Sequence, residues 1–373
     1  MILYFIPFIF LYLLSEGEKF NLFAKVLNNR YFYYLLSVFF IIFIGLRSEI
    51  GCDWDAYITL YTKYSSQDFG KIFTTNSSSI FKLDEFGSIL ITKLSNNIYI
   101  FNFIYSILFV IPLFYFCSAL ERKYFALLIS YPYYMIVVGM GPIRQAACIS
   151  FLMFSIILIV RKRYYSHYLL SLISLSIHQS SIILNGLILI PNLGNIKKLI
   201  KKIISNNYSI LIVILILIII GFSFPSIIYS TFYYFKFYCE KIPKAKGAIF
   251  LWLMNFIPSI IFIINSNKFN FKYSLKKILF LFSIFGFLLL PLIFFNTVIA
   301  YRLSLYLFPS TIVIGSAIPD LELFQIKKSY YINFTYALSF LSLIIWLNFA
   351  FHSSCWVPYK NILLDEWKFI LGF

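Results

Sequence analysis

The sequence predicts an all-α, polytopic integral membrane protein. Of its 373 residues, 61% are hydrophobic and 12% are charged, about half the charged share of a soluble globular domain. Long apolar blocks alternate with short polar ones from end to end, and a helix needs roughly 20 apolar residues to cross the hydrocarbon core. The alternating segments of about ten residues that mark a membrane β-barrel are missing. The net charge of +17 does not point to nucleic acid. The Lys and Arg lie in short loops between apolar blocks, where basic residues set orientation, and no basic soluble region interleaved with aromatics exists to hold a strand.

Apolar helices are expected at about 1–14, 31–46, 98–118, 124–138, 144–160, 207–224, 248–264, 278–295, 299–318 and 330–350. The first lacks a basic n-region and a small-residue cleavage site, so it reads as a retained helix. Two polar loops are long, 47–97 and 225–247. The second is aromatic (Phe232, Tyr233, Tyr234, Phe235) and suits a helix lying on the membrane surface. No internal repeat is visible, so 1–373 reads as one transmembrane domain. The block 168–190 is apolar but interrupted by Ser176, His178, Gln179, Ser180, Ser181 and Asn185. If it crossed fully, KKLIKK (197–202), KFNFKYSLKK (268–277) and IKK (326–328) would all lie outside, against the rule that basic loops stay in the cytoplasm. A re-entrant hairpin turning at His178 restores them to the side of RKR at 161–163. Each arm of about ten residues rises about 15 Å, half the core. The sequence therefore predicts ten spans, one re-entrant helical hairpin, both termini outside, and 47–97 and 225–247 as extracytoplasmic loops.

On that topology the unusual polar residues collect on the outer side. The run 31–46 stops at Arg47, and Glu49, Asp53 and Asp55 follow, threaded through Gly51 and Trp54 in GLRSEIGCDWDAYITLY. Tyr57 and Tyr61 sit four apart on what reads as the next helix. A cation and three carboxylates at a membrane edge are costly unless paired or used. Glu85, Arg144, Arg302, His352 and Tyr359 fall on the same side, and His178 approaches from below. In GMGPIRQAACISF, Pro142 stands near the first position of a helix, with Arg144 and Gln145 in its first turn. A cation at the positive end of a helix is unfavourable by itself and makes sense where an anion such as a phosphate binds. Arg302 in NTVIAYRLSLY repeats the arrangement. The plainer reading is that both arginines snorkel to the interface. Arg47 ends its helix, where a cation suits the dipole.

His178 is either a hydrogen-bonded histidine at a helix break or a proton acceptor or sugar-binding group. Asp53 and Asp55 could be the base instead, or could orient Arg47. Glu85 lies on a short amphipathic segment, and Trp54, Tyr57, Trp356 and Tyr359 are candidates for stacking on sugar rings. The five cysteines, Cys52, Cys117, Cys148, Cys239 and Cys355, form no CxxC or Cys/His ligand spacing, so no metal site is expected. No GxGxxG or Walker motif is present, so no nucleotide or other cofactor is expected.

At these residues the chain resembles the EpsG-like family of bacterial Wzy-type polysaccharide polymerases. The likeness runs in order through GLRSEIGCDWDAYITLY, DEFGSILITKL, GPIRQAACIS, SIHQSSIIL, AYRLSLYLF and WVPYK. It departs at Ile50 and Cys52, which stand inside an R-x-x-x-G-x-D-x-x-x-Y pattern. The resemblance implies a GT-C-like glycosyltransferase architecture in the bacterial cytoplasmic (inner) membrane, with the active site facing the periplasm or exterior. It implies the joining of undecaprenyl-diphosphate-linked oligosaccharide repeat units into O-antigen of lipopolysaccharide, capsule or exopolysaccharide, without metal or nucleotide. Donor and acceptor would both be lipid-linked glycans, and a flippase and a chain-length regulator are the protein partners to look for. On this reading Arg144 and Arg302, with Arg47, would hold the leaving diphosphate as its charge grows. His178 or Asp53 would take the acceptor's proton, and Asp55, Tyr57, Glu85 and Gln145 would bind substrate. A ligase, a flippase or transporter of the lipid-linked sugar, and a sugar acyltransferase are the rivals. A transporter would spread charge through both membrane halves, often with repeats.

Overall fold

The computed structural model describes residues 1–66, 86–189, 245, 247–321 and 327–364. These form an all-helical, multi-pass membrane protein. Among them the only β feature is an isolated bridge between Arg47 and Asn361. The helices are α1 (Ile2–Lys19), α2 (Ala24–Leu27), α3 (Arg30–Gly45), α4 (Trp54–Ser65), α5 (Phe86–Leu94), α6 (Ile98–Ser118) and α7 (Lys123–Ser130). There follow α8 (Ile143–Val160), α9 (Tyr164–Ile177), α10 (Ser181–Leu189), α11 (Ala248–Asn265), α12 (Tyr273–Phe295), α13 (Thr297–Ser304), α14 (Phe308–Ala317) and α15 (Lys328–Phe349).

Six segments are long and apolar enough to cross a membrane, and Arg30–Gly45 and Lys123–Val138 are shorter apolar helices. Ten crossings are therefore not all visible among the described residues. The expected span at 207–224, the loop 225–247 up to residue 244, the basic run 197–202 and Glu85 lie outside them.

Apolar composition alone does not set where these helices begin. Asn29, Asn97 and Asn296 do so at α3, α6 and α13, each side-chain oxygen accepting backbone N–H groups of the first turn. At α7 the cap comes from far away in the chain. The Glu18 carboxylate accepts from the N–H of Tyr124 at 3.2 Å and of Phe125 at 3.3 Å, a carboxylate matched to the positive end of a helix. Past Ser130 the ladder widens to a π-helix over Tyr131–Val138. Pro132 at its start has no N–H to give.

Helix α8 is the centre of the bundle and is mostly buried, whereas α15 at the periphery is mostly uncovered. It packs between α6 and α9, while α11 packs on α12, α13 and α14.

The bundle has two unlike ends. At one, Lys123 and Tyr124 bond the carbonyl of Leu27, Arg122 reaches the carbonyl of Ser316, and Arg122 and Lys328 both pair with Asp320. Arg161, Lys162 and Arg163 are exposed between α8 and α9, with Arg161 bonding the Tyr115 hydroxyl. This is the lysine-rich end.

At the other end the segment after α15 is strapped across the bundle. Gly51 N–H donates to Cys355 O, Ser48 N–H to Lys360 O and Ile362 N–H to Leu46 O. Cys52 and Cys355 form a disulfide with their Cα atoms 5.1 Å apart, and Lys360 pairs with Glu49. Tyr4 donates to Trp356 O, Trp356 Nε1 to Ile136 O and Tyr359 to Phe43 O. Trp356 and Tyr359 are thus buried fasteners, not exposed stacking platforms.

The strap requires glycine at 51. Gly51 has φ +96°, and a Cβ there would collide with the Met140 carbonyl oxygen. Gly51→Ala is expected to lower stability by at least about 1–2 kcal/mol from backbone strain alone, with the overlap in addition, seen as a lower unfolding temperature in detergent.

Candidate functional site

The site is assembled from helix ends at the strapped end of the bundle. Its foundation is Arg47, just past the end of α3. The side chain is 1% exposed. Nη1 donates to Ile44 O at 2.8 Å, Nε to Ile50 O at 3.2 Å and Nη2 to Asn102 Oδ1 at 3.2 Å. The guanidinium also lies 6.0 Å from the Trp54 ring, within cation–π range. Burial lowers its pKa to about 10, against the pull of Tyr57, Tyr359 and Tyr4, so it remains a cation at neutral pH. Arg47 therefore ties the loop 46–51 to α3 and α6 and sets the start of α4.

Asp53 is the N-cap residue of α4, and Tyr57 lies one turn in. Tyr57 is buried. Its ring lies under the Arg144 guanidinium at 5.8 Å, and its hydroxyl is hydrogen-bonded by the Arg144 backbone. Burial, and then the charge of Asp53, push the hydroxyl up to about 12 against Arg144 and Arg302.

Arg144 and Gln145 occupy the first turn of α8 as the sequence predicts, with Pro142 as the N-cap itself. Gln145 Nε2 donates to Arg302 O at 3.0 Å and so joins α8 to α13. Arg302 is more than a turn inside α13, in the last turn of that short helix. Its Nη2 is 3.9 Å from Asp53 Oδ2, beyond hydrogen-bond reach, and both side chains are about one-third exposed (36% and 33%).

His178 completes the group. The helix α9 ends at Ile177 and His178 is extended, with φ −155° and ψ 119°. The turn is tied on both sides: His178 N–H donates to Ser174 O and His178 O accepts from Ser181 N–H. Ser180 bonds the Tyr306 hydroxyl, which anchors the turn to the segment following α13. His178 lies within electrostatic range of Arg144, Arg302 and Asp53; desolvation, and then the two guanidiniums, disfavour its charged form, with Asp53 opposing them.

The structure thus brings together Asp53, Tyr57, Arg144, Gln145, His178 and Arg302 from four separate parts of the chain. A group holding two guanidiniums, a carboxylate, a phenol and an imidazole can bind a polyanion and accept a proton beside it. Asp55 does not join them. It is exposed in the first turn of α4, and no contact among the described residues ties its carboxylate to the arginines.

The sequence reading missed the disulfide, whose halves are 303 residues apart. The His352 ring and the two sulfurs lie within 4.8 Å of one another. Both sulfurs are in the disulfide, and a metal is held by thiolates.

A family model described as the EpsG family matches residues 30–361. The chain belongs to the EpsG family. No curated relative and no solved structure matches it. Membership makes this a membrane protein of polysaccharide biosynthesis. The family match runs from the start of α3 to Asn361. It therefore takes in Arg47, the arginine helices, the His178 turn and the strap.

Arg47 in this EpsG-family protein is tested by Arg47→Met, which keeps the length and removes the donors. Hydrogen bonds to charged groups contribute about 1.5–3 kcal/mol each. The expected outcome is a loss of about 3 kcal/mol or more in stability, read by thermal unfolding in detergent.

Proposed function

We propose that this EpsG-family protein is a glycosyltransferase that polymerises lipid-linked oligosaccharide repeat units at the outer face of the cytoplasmic membrane. The observation that carries the reading is the gathering of Arg144, Arg302, Asp53 and His178 at one end of the bundle. That end also holds the Cys52–Cys355 disulfide, and disulfides form and persist outside the cytoplasm. The exposed RKR run and the Arg122–Asp320–Lys328 cluster lie at the opposite end, as basic loops do on the cytoplasmic side.

Outside the cytoplasm the sugar donor has to bring its own leaving group. A polyprenyl diphosphate does this. As the bond from the anomeric carbon to the phosphate oxygen breaks, negative charge grows on the diphosphate. Arg144 and Arg302, fixed beforehand by Tyr57 and Gln145, stabilise that charge. Asp53, facing Arg302, keeps that guanidinium in register until the substrate arrives. His178 takes the proton of the acceptor hydroxyl on a second lipid-linked unit. The bound diphosphate supplies the negative charge that an imidazolium needs beside two arginines. The Tyr57 hydroxyl, protonated at any physiological pH, is a donor to the substrate. Arg47 acts at one remove, by holding Asp53 and Tyr57 in position.

The test is purified protein in a bilayer with defined polyprenyl-diphosphate-linked repeat units. A ladder of product lengths is the expected result. A single transfer would mean a ligase, and no covalent change a transporter. Arg144→Ala and Arg302→Ala are each expected to insert normally and to cut chain extension by at least 100-fold, the scale for losing one transition-state donor. Normal ladders from both variants would remove the diphosphate role.

A further inference from the structure

The reaction proposed above makes a strict demand on geometry. The acceptor oxygen bonds to the anomeric carbon and gives its proton to His178. The electron pair of the broken bond leaves on the diphosphate held by the arginines. Base and cations thus act on two oxygens at one carbon, and a misplacement of about 1 Å costs on the order of 100-fold in rate. Yet His178 and Arg302 stand on distant parts of the chain. The backbone bonds of His178, to Ser174 and Ser181, are local and do not fix it relative to Arg302.

The two are tied together at Tyr306. Helix α13 ends at Ser304, and the chain tightens into a single 3-10 turn, Leu305–Leu307, before α14 begins. Pro309 at the start of α14 accounts for the tightening: its ring has no N–H to give the Leu305 carbonyl and crowds it. Tyr306 stands in the middle of this turn and is fully buried. Its hydroxyl shares one hydrogen bond with Ser180 Oγ, two residues after His178. A second joins it to the Gln145 side chain. Gln145 Nε2 in turn donates to Arg302 O at 3.0 Å. A chain of hydrogen bonds therefore runs from the His178 turn, through Tyr306 and Gln145, to the main chain of Arg302.

The 3-10 turn is itself held from α11. Asn255 Nδ2 donates to Ser304 O at 3.3 Å, and Asn255 Oδ1 accepts from Thr311 Oγ1 at 2.7 Å. Both flanks of the turn are thus fixed before Tyr306 reaches the His178 turn. Packing alone does not ask for a hydroxyl at this place. A phenylalanine fills nearly the same volume, and a buried hydroxyl is costly unless it is bonded.

We propose that Tyr306 is a positioning residue for chain extension, its hydroxyl setting the His178 turn against the Arg302 helix through Ser180 and Gln145. The proposal rests on the polymerase reading above. Tyr306 acts through His178 and not on the substrate. Groups that act in one network lose their effect together, so removing one makes the next removal cheap.

The test measures chain extension from defined polyprenyl-diphosphate-linked repeat units by the full chain in a bilayer. Tyr306→Phe keeps the ring and removes the hydroxyl. It is expected to lower kcat by about 10- to 100-fold and to leave the donor KM unchanged. Ser180→Ala is expected to do the same, and the double variant to fall no further than either single one. In a His178→Ala background Tyr306→Phe is expected to cost nothing more. The comparison is Tyr134→Phe, another buried tyrosine, whose hydroxyl bonds Ala146 O and Ser150 Oγ. It is expected to lower the unfolding temperature as much as Tyr306→Phe does and to leave kcat unchanged. Folding is checked by the Cys52–Cys355 disulfide, and if Tyr306→Phe does not fold, Ser180→Ala carries the test. A kcat for Tyr306→Phe and Ser180→Ala no lower than that of Tyr134→Phe overturns the proposal. So does a Tyr306→Phe loss that persists in full without His178. In both cases a wild-type ladder leaves the polymerase reading standing. If the wild type makes no ladder, that reading falls and the role of Tyr306 falls with it.

Discussion

Arg47 brings a full positive charge to a place that water does not reach, with no carboxylate against it among the described residues. What holds it is a ring of carbonyl oxygens: the end of its own helix, the loop it starts, and the Asn102 amide on α6. Such a group tolerates little displacement, because a lost acceptor leaves a buried donor unsatisfied. The first loop therefore has essentially one shape. That shape sets Asp53 at the start of α4, Tyr57 beneath Arg144, and Gly51 against the Met140 carbonyl. The rest of the strapped end is built on this fixed loop.

The candidate site is made almost wholly from places where helices start, stop or break. Arg144 stands at a start, Asp53 at a cap and His178 in a gap between two short arms. This follows from the solvent. Inside a bilayer every backbone polar group must be paired, so regular helix fills the span, and irregular chain survives only where protein or water covers it. Such gaps are where backbone donors and flexible polar side chains can be aimed at a ligand. Here the gap at His178 is covered on one side by Tyr306, which bonds Ser180, and on another by α5 and α8, which pack on α9.

Much of this was readable from residues alone because it depends on local rules. Apolar run lengths marked the long helices. The Gly-Pro before Arg144 marked the start of α8, and the polar run SIHQSS marked a break. The structure puts that break at His178, and puts Tyr57 and Tyr61 on one helix as their spacing suggests. What stayed hidden depends on distant parts of the chain meeting. Arg47 reads as a phosphate ligand until Ile50 and Asn102 are seen around it. Trp356 and Tyr359 read as sugar-stacking aromatics until their polar atoms are seen on Ile136 and Phe43. The single hint of the disulfide was topological, since Cys52, Cys239 and Cys355 all fall in expected outer loops, and that leaves three possible pairings. Asp55 looked equivalent to Asp53 in sequence. Two residues of separation on a helix turned one toward Arg302 and the other to solvent.

The link between Cys52 and Cys355 joins the first loop after α3 to the segment beyond α15. Nothing between those points can complete it. While the central helices are still being made, the loop that carries Asp53 lacks the sulfur of Cys355 to close on. The polar cluster is therefore finished only after the last helix has been threaded and its trailing residues delivered to the same side. A chain cut short anywhere before Cys355 would leave its membrane helices in place with the entrance to the cluster unfastened. A single covalent bond thus marks the delivery of the last helix.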